Sequence, residues 1–114
     1  MIAVIFESWP KPGLGKDYID YGQKMAHLVE GRDGFISIER FESVSEPGKF
    51  VALSFWRDEA AVEAFRKHPV HRGIQAKSRS DIFIDYRLRV AGVMRDYTRN
   101  DRTQAPADSR VHDN

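Results

Sequence analysis

The order of apolar segments along this chain is the feature that most restricts its fold. Residues 2–9 are mainly β-branched or aromatic and stop at Pro10, which is typical of a strand. Residues 14–30 carry their large apolar side chains at helical spacing. Residues 35–44 and 50–56 predict two strands, and the Pro-Gly pair between them predicts a turn.

A second helical region and a last strand follow. Asp58 suits the N-cap of a helix, and Pro69 suits the first position of a further helical segment over residues 70–79. A long final strand is predicted from Ile82 to about Tyr97. The order β-α-β-β-α-β predicts an α+β, ferredoxin-like fold, in which a four-stranded antiparallel sheet carries its helices on one face.

Several predicted strands are apolar on both faces. Both alternating sets of side chains in residues 50–56 are mainly apolar, whereas a sheet with one face in water alternates apolar and polar residues. Two helices cover one face only, and a large exposed apolar patch marks an association site. We therefore expect a homodimer whose sheets pack face to face. The alternative cover, by loops and the C-terminal tail, would need a less polar tail than this one.

Length and composition favour one domain with a tail. The chain has 114 residues, and all seven Phe, four Tyr and two Trp lie within residues 1–97. Residues 98–114 hold one Val as their only large aliphatic residue. Such a segment buries too little apolar surface to offset its ordering entropy. We expect a folded unit over 1–97 and a polar tail that is mobile or ordered only against a partner chain.

Charge and cysteine content exclude several classes of protein. The 18 Lys and Arg residues nearly balance the 17 Asp and Glu residues, so no broad basic face for nucleic acid is expected. The chain has no Cys, which excludes disulfides, thiolate metal sites and a cysteine nucleophile. No apolar run approaches the roughly 20 residues that span a bilayer. We expect a cytoplasmic protein with no membrane partner.

The densest group of chemically capable residues surrounds two histidines. His71 and Gln75 are four residues apart and would share a helix face, which could point toward Trp56 and Tyr86. Histidine can exchange a proton near neutral pH, although His71 could equally have only a structural role. His68 and His71 are three residues apart, but no carboxylate lies one turn away. Zinc sites usually have three or four protein ligands, so no metal site is predicted.

Four segments resemble a known family. They are Gly34–Arg40, Ser54–Ala61, the group Phe65, His68, His71 and Gln75, and Tyr86–Val90. On these residues the sequence resembles the antibiotic biosynthesis monooxygenase family of dimeric α+β barrels, over about residues 1–97. The most specific part is the Trp at the strand end, followed by a helix and the His-x-x-His segment.

The resemblance implies an oxidoreductase that uses O2 as co-substrate and no bound cofactor. Its substrate would be a small electron-rich aromatic molecule, such as an anthrone or a quinol. His71 would be the proton acceptor or hydrogen-bond donor, and Arg72 or Gln75 would stabilise negative charge. The residues implied in substrate binding are Trp56, Phe65, His68, Phe83 and Tyr86.

Two other functions remain open. A related branch degrades haem with an Asn, a Trp and a His, but this chain has Glu7-Ser8, Phe65 and Gln75 where these are expected. Haem is therefore not expected unless His71 replaces the missing ligand. The main alternative is a non-catalytic dimeric module that binds a small apolar or anionic ligand, since one fold supports several functions.

Overall fold

The structure is a computed structural model, and it describes residues 1–109. Within these, the side chains of five residues near the end of the last helix lie outside the described set: Ile74, Gln75, Ser78, Arg79 and Ser80. Residues 110–114 of the predicted tail also lie outside it.

The chain forms seven elements in the predicted order. They are β1 (Ile2–Pro10), α1 (Gly15–Val29), β2 (Phe35–Glu42), β3 (Phe50–Trp56), α2 (Glu59–Arg66), α3 (Pro69–Asp81) and β4 (Phe83–Gly92). The four strands form one sheet in the order β2-β3-β1-β4, and every neighbouring pair is antiparallel. This is the ferredoxin-like arrangement, so the predicted fold is confirmed.

The predicted end of the last strand was wrong. β4 ends at Gly92 and does not continue to Tyr97. The reason is its partner: β1 begins at Ile2, which lies opposite Gly92. One further hydrogen bond follows, from the Val93 amide to the Met1 carbonyl at 3.0 Å. Beyond this point β4 has no strand to pair with among the described residues.

Helices and sheet enclose the core on one side of the sheet. The core combines side chains of α1 and α2 with sheet residues, namely Tyr18, Tyr21, Met25, Val29, Trp56, Ala61, Phe65 and Phe83. On β1, alternate residues such as Val4 and Phe6 pack against this cluster. The intervening Ile5 lies on the opposite face, where it is paired with Leu53 and is only half-buried.

The segment after β4 folds on itself. Within residues 98–109 the Thr98 amide donates to the Asp101 carbonyl at 2.8 Å, and the Arg102 guanidinium donates to the Ser109 carbonyl. Arg102 also lies over the Tyr97 ring, 4.9 Å from its centroid. These contacts join residues within the segment. Whether it orders against a partner chain stays a prediction.

Gly34 offers a test of the packing between the start of β2 and α2. Its φ is +83°, and a Cβ there would lie 2.5 Å from the Ala61 Cβ. Gly34→Ala therefore adds a steric overlap to the strain of a left-handed backbone. Gly48 is a matched control, because its φ is +89° and a Cβ there would meet nothing within 4 Å.

We expect Gly34→Ala to lower the free energy of unfolding by about 1–3 kcal/mol more than Gly48→Ala does, which is the usual cost of overpacking. Urea denaturation of both variants and the wild type measures this difference. If both variants lose the same free energy of unfolding, the overlap with Ala61 is relieved without a measurable loss of stability.

Candidate functional site

A pocket of about 170 Å³ lies between the helices and the sheet. Its sheet wall is formed by Val4, Phe6, Ile38, Arg40, Ala52, Ser54, Trp56, Leu88 and Val90. Its helix wall is formed by Tyr21, Met25, Val29, Val62, Phe65, Arg66 and His71. Most of these side chains are apolar. A cleft of this kind, with a few polar groups, is the usual form of a small-molecule site.

Three aromatic rings form one corner of the pocket. The Trp56 and Phe65 ring centroids are 5.4 Å apart, and the His71 ring lies edge-on to Phe65 at 4.2 Å. The Trp56 Nε1 donates to the Ser54 Oγ at 3.0 Å, which holds the indole in place. His71 is 7% exposed, so its imidazole lies in a largely dry, aromatic environment.

Local sequence features determine where the two helices that carry Phe65 and His71 begin. The Asp58 Oδ1 accepts a hydrogen bond from the Ala61 amide at 2.9 Å and caps α2, as predicted. Arg57 joins Asp58 to Asp33 through ion pairs of 2.9 Å each. Pro69 is the first residue of α3, where its missing N–H costs no hydrogen bond. His71 therefore enters the pocket from the first turn of α3.

The other residues proposed from the sequence lie in different places. Arg72 is exposed, and its Nε donates to the Arg66 carbonyl at 3.3 Å. His68 is half-buried just before α3, and its Nδ1 has no hydrogen-bond partner among the described residues. Neither residue lines the pocket. Gln75 lies on α3, and its side chain is outside the described set.

The remaining two aromatic residues belong to a ring cluster beside the pocket. Phe83 is 4% exposed and packs edge-on against Phe6 at 5.7 Å and Tyr21 at 5.6 Å. The Tyr86 ring lies 5.7 Å from Phe6 and is half-buried. Phe83 and Tyr86 therefore support Phe6 and Tyr21, which line the pocket themselves.

Arg40 is a pocket residue that was not predicted from the sequence. This residue lies on β2 opposite Ala52, and its side chain lines the pocket. A Cβ at position 22 would lie 2.9 Å from the Arg40 Nε, so the absence of a side chain at Gly22 makes room for the guanidinium beside α1. A glycine within an otherwise regular helix pattern was the available sign of this close approach.

A pair of buried hydroxyls lies near Arg40. Ser8 is 0% and Tyr18 is 4% exposed. Burial raises the pKa of Tyr18, while the positive charge of Arg40 and the neighbouring Ser8 hydroxyl lower it by less. The two hydroxyls lie close enough for this effect but outside ordinary hydrogen-bond geometry. Tyr18 is thus neutral at physiological pH.

The pocket opens at the edge of the sheet. Leu88 and Val90 on β4 line it, yet they are 47% and 48% exposed. Since β4 is an edge strand, the helices leave this side of the cleft uncovered. Within residues 1–109, no group of three His, Asp or Glu side chains could hold a metal ion. Among the helices of this described part, none is long and apolar enough to cross a bilayer.

Comparison with known proteins settles the family. Residues 1–77 match the family model described as antibiotic biosynthesis monooxygenase. The chain belongs to this family. The antibiotic biosynthesis monooxygenase match spans β1 to most of α3 and so contains Trp56, Phe65 and His71. The resemblance found in the sequence is confirmed.

Two curated relatives are similar over most of the chain. The jasmonate monooxygenase ABM of Pyricularia oryzae is 39% identical over 93 residues, which are 82% of this chain and 43% of that protein. This chain therefore spans less than half of the Pyricularia protein. The Bacillus subtilis protein YqjZ is 30% identical over 82% of this chain and 79% of its own length.

Solved structures share the antibiotic biosynthesis monooxygenase fold. Rv0793 from Mycobacterium tuberculosis has a TM-score of 0.75 and 20% identity, over 85% of this chain and 98% of that one. SnoaB from Streptomyces nogalater, a cofactor-independent oxygenase solved as a point mutant, has a TM-score of 0.74 and 10% identity, over 83% and 94% of the two chains. At these identities the likeness shows a common fold.

The Asp58 cap makes the stability of α2 dependent on pH. Hydrogen bonds from Arg57 and from the Ala61 amide hold the pKa of Asp58 below its ordinary value. A lowered folded-state pKa gives a stabilisation that is present above the ordinary value and lost as pH falls through the folded-state value. Asn is an equally good N-cap without the charge.

We therefore expect the wild type to be more stable than Asp58→Asn near neutral pH, and the two to converge as the pH falls below the ordinary pKa of an aspartate. Asp58→Ala, which also lacks the cap, should be less stable than Asp58→Asn at every pH. Thermal unfolding across the pH range measures both differences. A wild-type advantage over Asp58→Asn that is independent of pH would contradict the role of the charge.

Proposed function

We propose that this chain is a monooxygenase that needs no bound cofactor and oxidises a small electron-rich aromatic or quinol substrate with O2. The observation that carries the proposal is the position of His71, a buried proton-transfer group on the wall of a mainly apolar pocket with an aromatic corner. The family match supports oxygenase chemistry. The names of the Pyricularia relative, a monooxygenase, and of SnoaB, a cofactor-independent oxygenase, point the same way.

In the proposed reaction, His71 removes a proton from the substrate. The resulting anion is electron-rich and passes one electron to O2, and the two radicals combine to form a carbon–oxygen bond. The substrate peroxide then takes a proton and loses water, so that one oxygen atom remains in the product as a carbonyl. The four electrons that O2 accepts all come from the substrate, so no external reductant is needed.

The pocket walls suit this chemistry. Trp56 and Phe65 offer flat surfaces against which an aromatic substrate can stack, with their own ring centroids 5.4 Å apart. His71 is 7% exposed, so little water competes for its interaction with a developing anion, which is stronger than in bulk water. Arg72 faces solvent, and its described contact is with the Arg66 carbonyl. This placement supports a role for His71 more than one for Arg72.

His71→Ala tests the proposed base. We expect O2 consumption with a panel of quinols and anthrones to fall by about 100- to 10,000-fold, the usual contribution of a general base. His27→Ala is the control, since His27 is exposed in the last turn of α1 and should leave the rate unchanged. An oxygen electrode with product analysis provides the measurement.

The results separate the two functions that the sequence left open. Unchanged O2 consumption in His71→Ala would overturn the assignment of His71. A wild type that consumes no O2 with any substrate of the panel, yet binds members of it, would favour the non-catalytic ligand-binding module.

We also propose that the chain works as a homodimer joined through the outer faces of the two sheets. Ile5, Leu53 and Phe55 lie on that face and are only half-buried, and Phe41 beside them is 45% exposed. This apolar surface favours a self-complementary contact between two copies. The helices already cover the other face.

Leu53→Asp tests the dimer. Sedimentation should show a dimer for the wild type at micromolar concentration and a monomer for Leu53→Asp, because a carboxylate would be buried without a partner in the interface. Val44→Asp is the control, as Val44 lies in the turn after β2 and is 99% exposed. A wild type that sediments as a monomer would overturn the proposed contact.

A further inference from the structure

Arg40 is a charged residue of the pocket. Its guanidinium lies beside α1, where it also reaches a second hollow. The second hollow is lined by Gly15, Tyr18, Ile19, Gly22, Gln23, Ala26, Arg40, Phe41, Glu42 and Phe50. Arg40 lines both spaces and is half-buried. Its guanidinium therefore lies at the β2 edge of the candidate site, at the opposite edge of the sheet from Leu88 and Val90 on β4.

Among the side chains that the structure describes, Arg40 has no acidic partner, and neither a hydrogen bond nor an ion pair joins its side chain to them. Other cations do have such partners, for example Arg57 with Asp33 and Arg89 with Glu7. The nearest candidate along β2 is Glu42, but its Oε2 accepts from the Gly48 amide at 3.0 Å. The guanidinium of Arg40 is half-buried and has five N–H donors, which can form charge-assisted hydrogen bonds to an anion.

The pocket adds a second reason. Its described lining includes two arginines, Arg40 and Arg66, and no Asp or Glu. A cleft with positive groups and apolar walls attracts a negatively charged ligand and strengthens its binding, because few water molecules screen the charge. The absence of a side chain at Gly22 lets the guanidinium lie against α1, since a Cβ there would be 2.9 Å from the Arg40 Nε.

We propose that Arg40 is the anion-binding group of this pocket, and that the pocket takes an aromatic molecule carrying a carboxylate or a comparable oxyanion. The aromatic part lies against Trp56 and Phe65, and the anionic end reaches the guanidinium. The inference rests on the proposed function only in treating this ligand as the substrate. The binding site itself follows from Arg40, its lack of an acidic partner among the described residues and the lining of the pocket.

Two matched probes test the inference by calorimetry. 2-Naphthoate is an aromatic carboxylate, and 2-naphthamide has the same ring system without the charge. We expect the wild type to bind 2-naphthoate at least about tenfold more tightly, the usual gain from a charge-assisted hydrogen bond. Arg40→Met should lose this preference and keep its affinity for 2-naphthamide. Arg40→Lys should keep part of it, since Lys offers charge without the planar fork.

Two further variants separate binding from folding. Gly22→Ala places a Cβ 2.9 Å from the Arg40 Nε, so it should weaken binding of 2-naphthoate alone, while Ala suits a helix better than Gly. Lys24→Met removes one positive charge from an exposed position of α1 and should leave both affinities unchanged.

Several results would overturn the inference. They are a wild type that binds 2-naphthoate no better than 2-naphthamide, a wild type that binds neither, and an Arg40→Met variant that keeps the preference. Binding of 2-naphthoate that depends on Arg40, in a protein that consumes no O2, would leave this inference standing and overturn the proposed oxygenase. O2 consumption that persists in Arg40→Met with an unchanged KM would overturn this inference and leave the proposed oxygenase standing.

Discussion

The contact between Trp56 and Phe65 is the interaction on which the site depends, because it joins the end of β3 to the second helix. The indole is 3% exposed, and the Phe35 ring also packs edge-on against it at 5.3 Å. The chain turns into α2 at Asp58, directly after Trp56 and Arg57. His71 in turn rests on Phe65, so the same contact sets the position of the candidate base.

Most of the fold could be predicted because its cues are local. Runs of β-branched and aromatic residues, helical spacing, the Asp58 cap and the Pro69 helix start all act within a few residues. The end of β4 could not be predicted in this way. It depends on where β1 begins, and β1 lies at the other end of the folded unit, so a strand-like sequence continues past the point where pairing stops.

The site was predictable only in part, for a similar reason. His71 was found from its spacing on a helix face, and Trp56 and Phe65 from the family resemblance; all three line the pocket. The sequence shows that Phe83 is an apolar strand residue. It does not show that Phe83 joins the ring cluster under α1, because the pairing of β1 with β4 shifts register near Pro10, which lies opposite Phe83. Arg40 lies among charged residues on a strand, a pattern typical of a solvated face. Gly22 signals a close approach to α1, but only the folded structure shows that Arg40 is the residue that makes it.

Because Gly22 and Arg40 approach each other closely, the residues that can occupy these two positions depend on each other. A chain with any side chain at position 22 would have to move the guanidinium or shorten residue 40. Among homologues, therefore, these positions should change as a pair: glycine with a long cation, or a larger helix residue with a small neutral one. Members of the second kind would have lost the positive charge at the β2 edge of the pocket, so the residue at position 22 would indicate which ligands each homologue accepts.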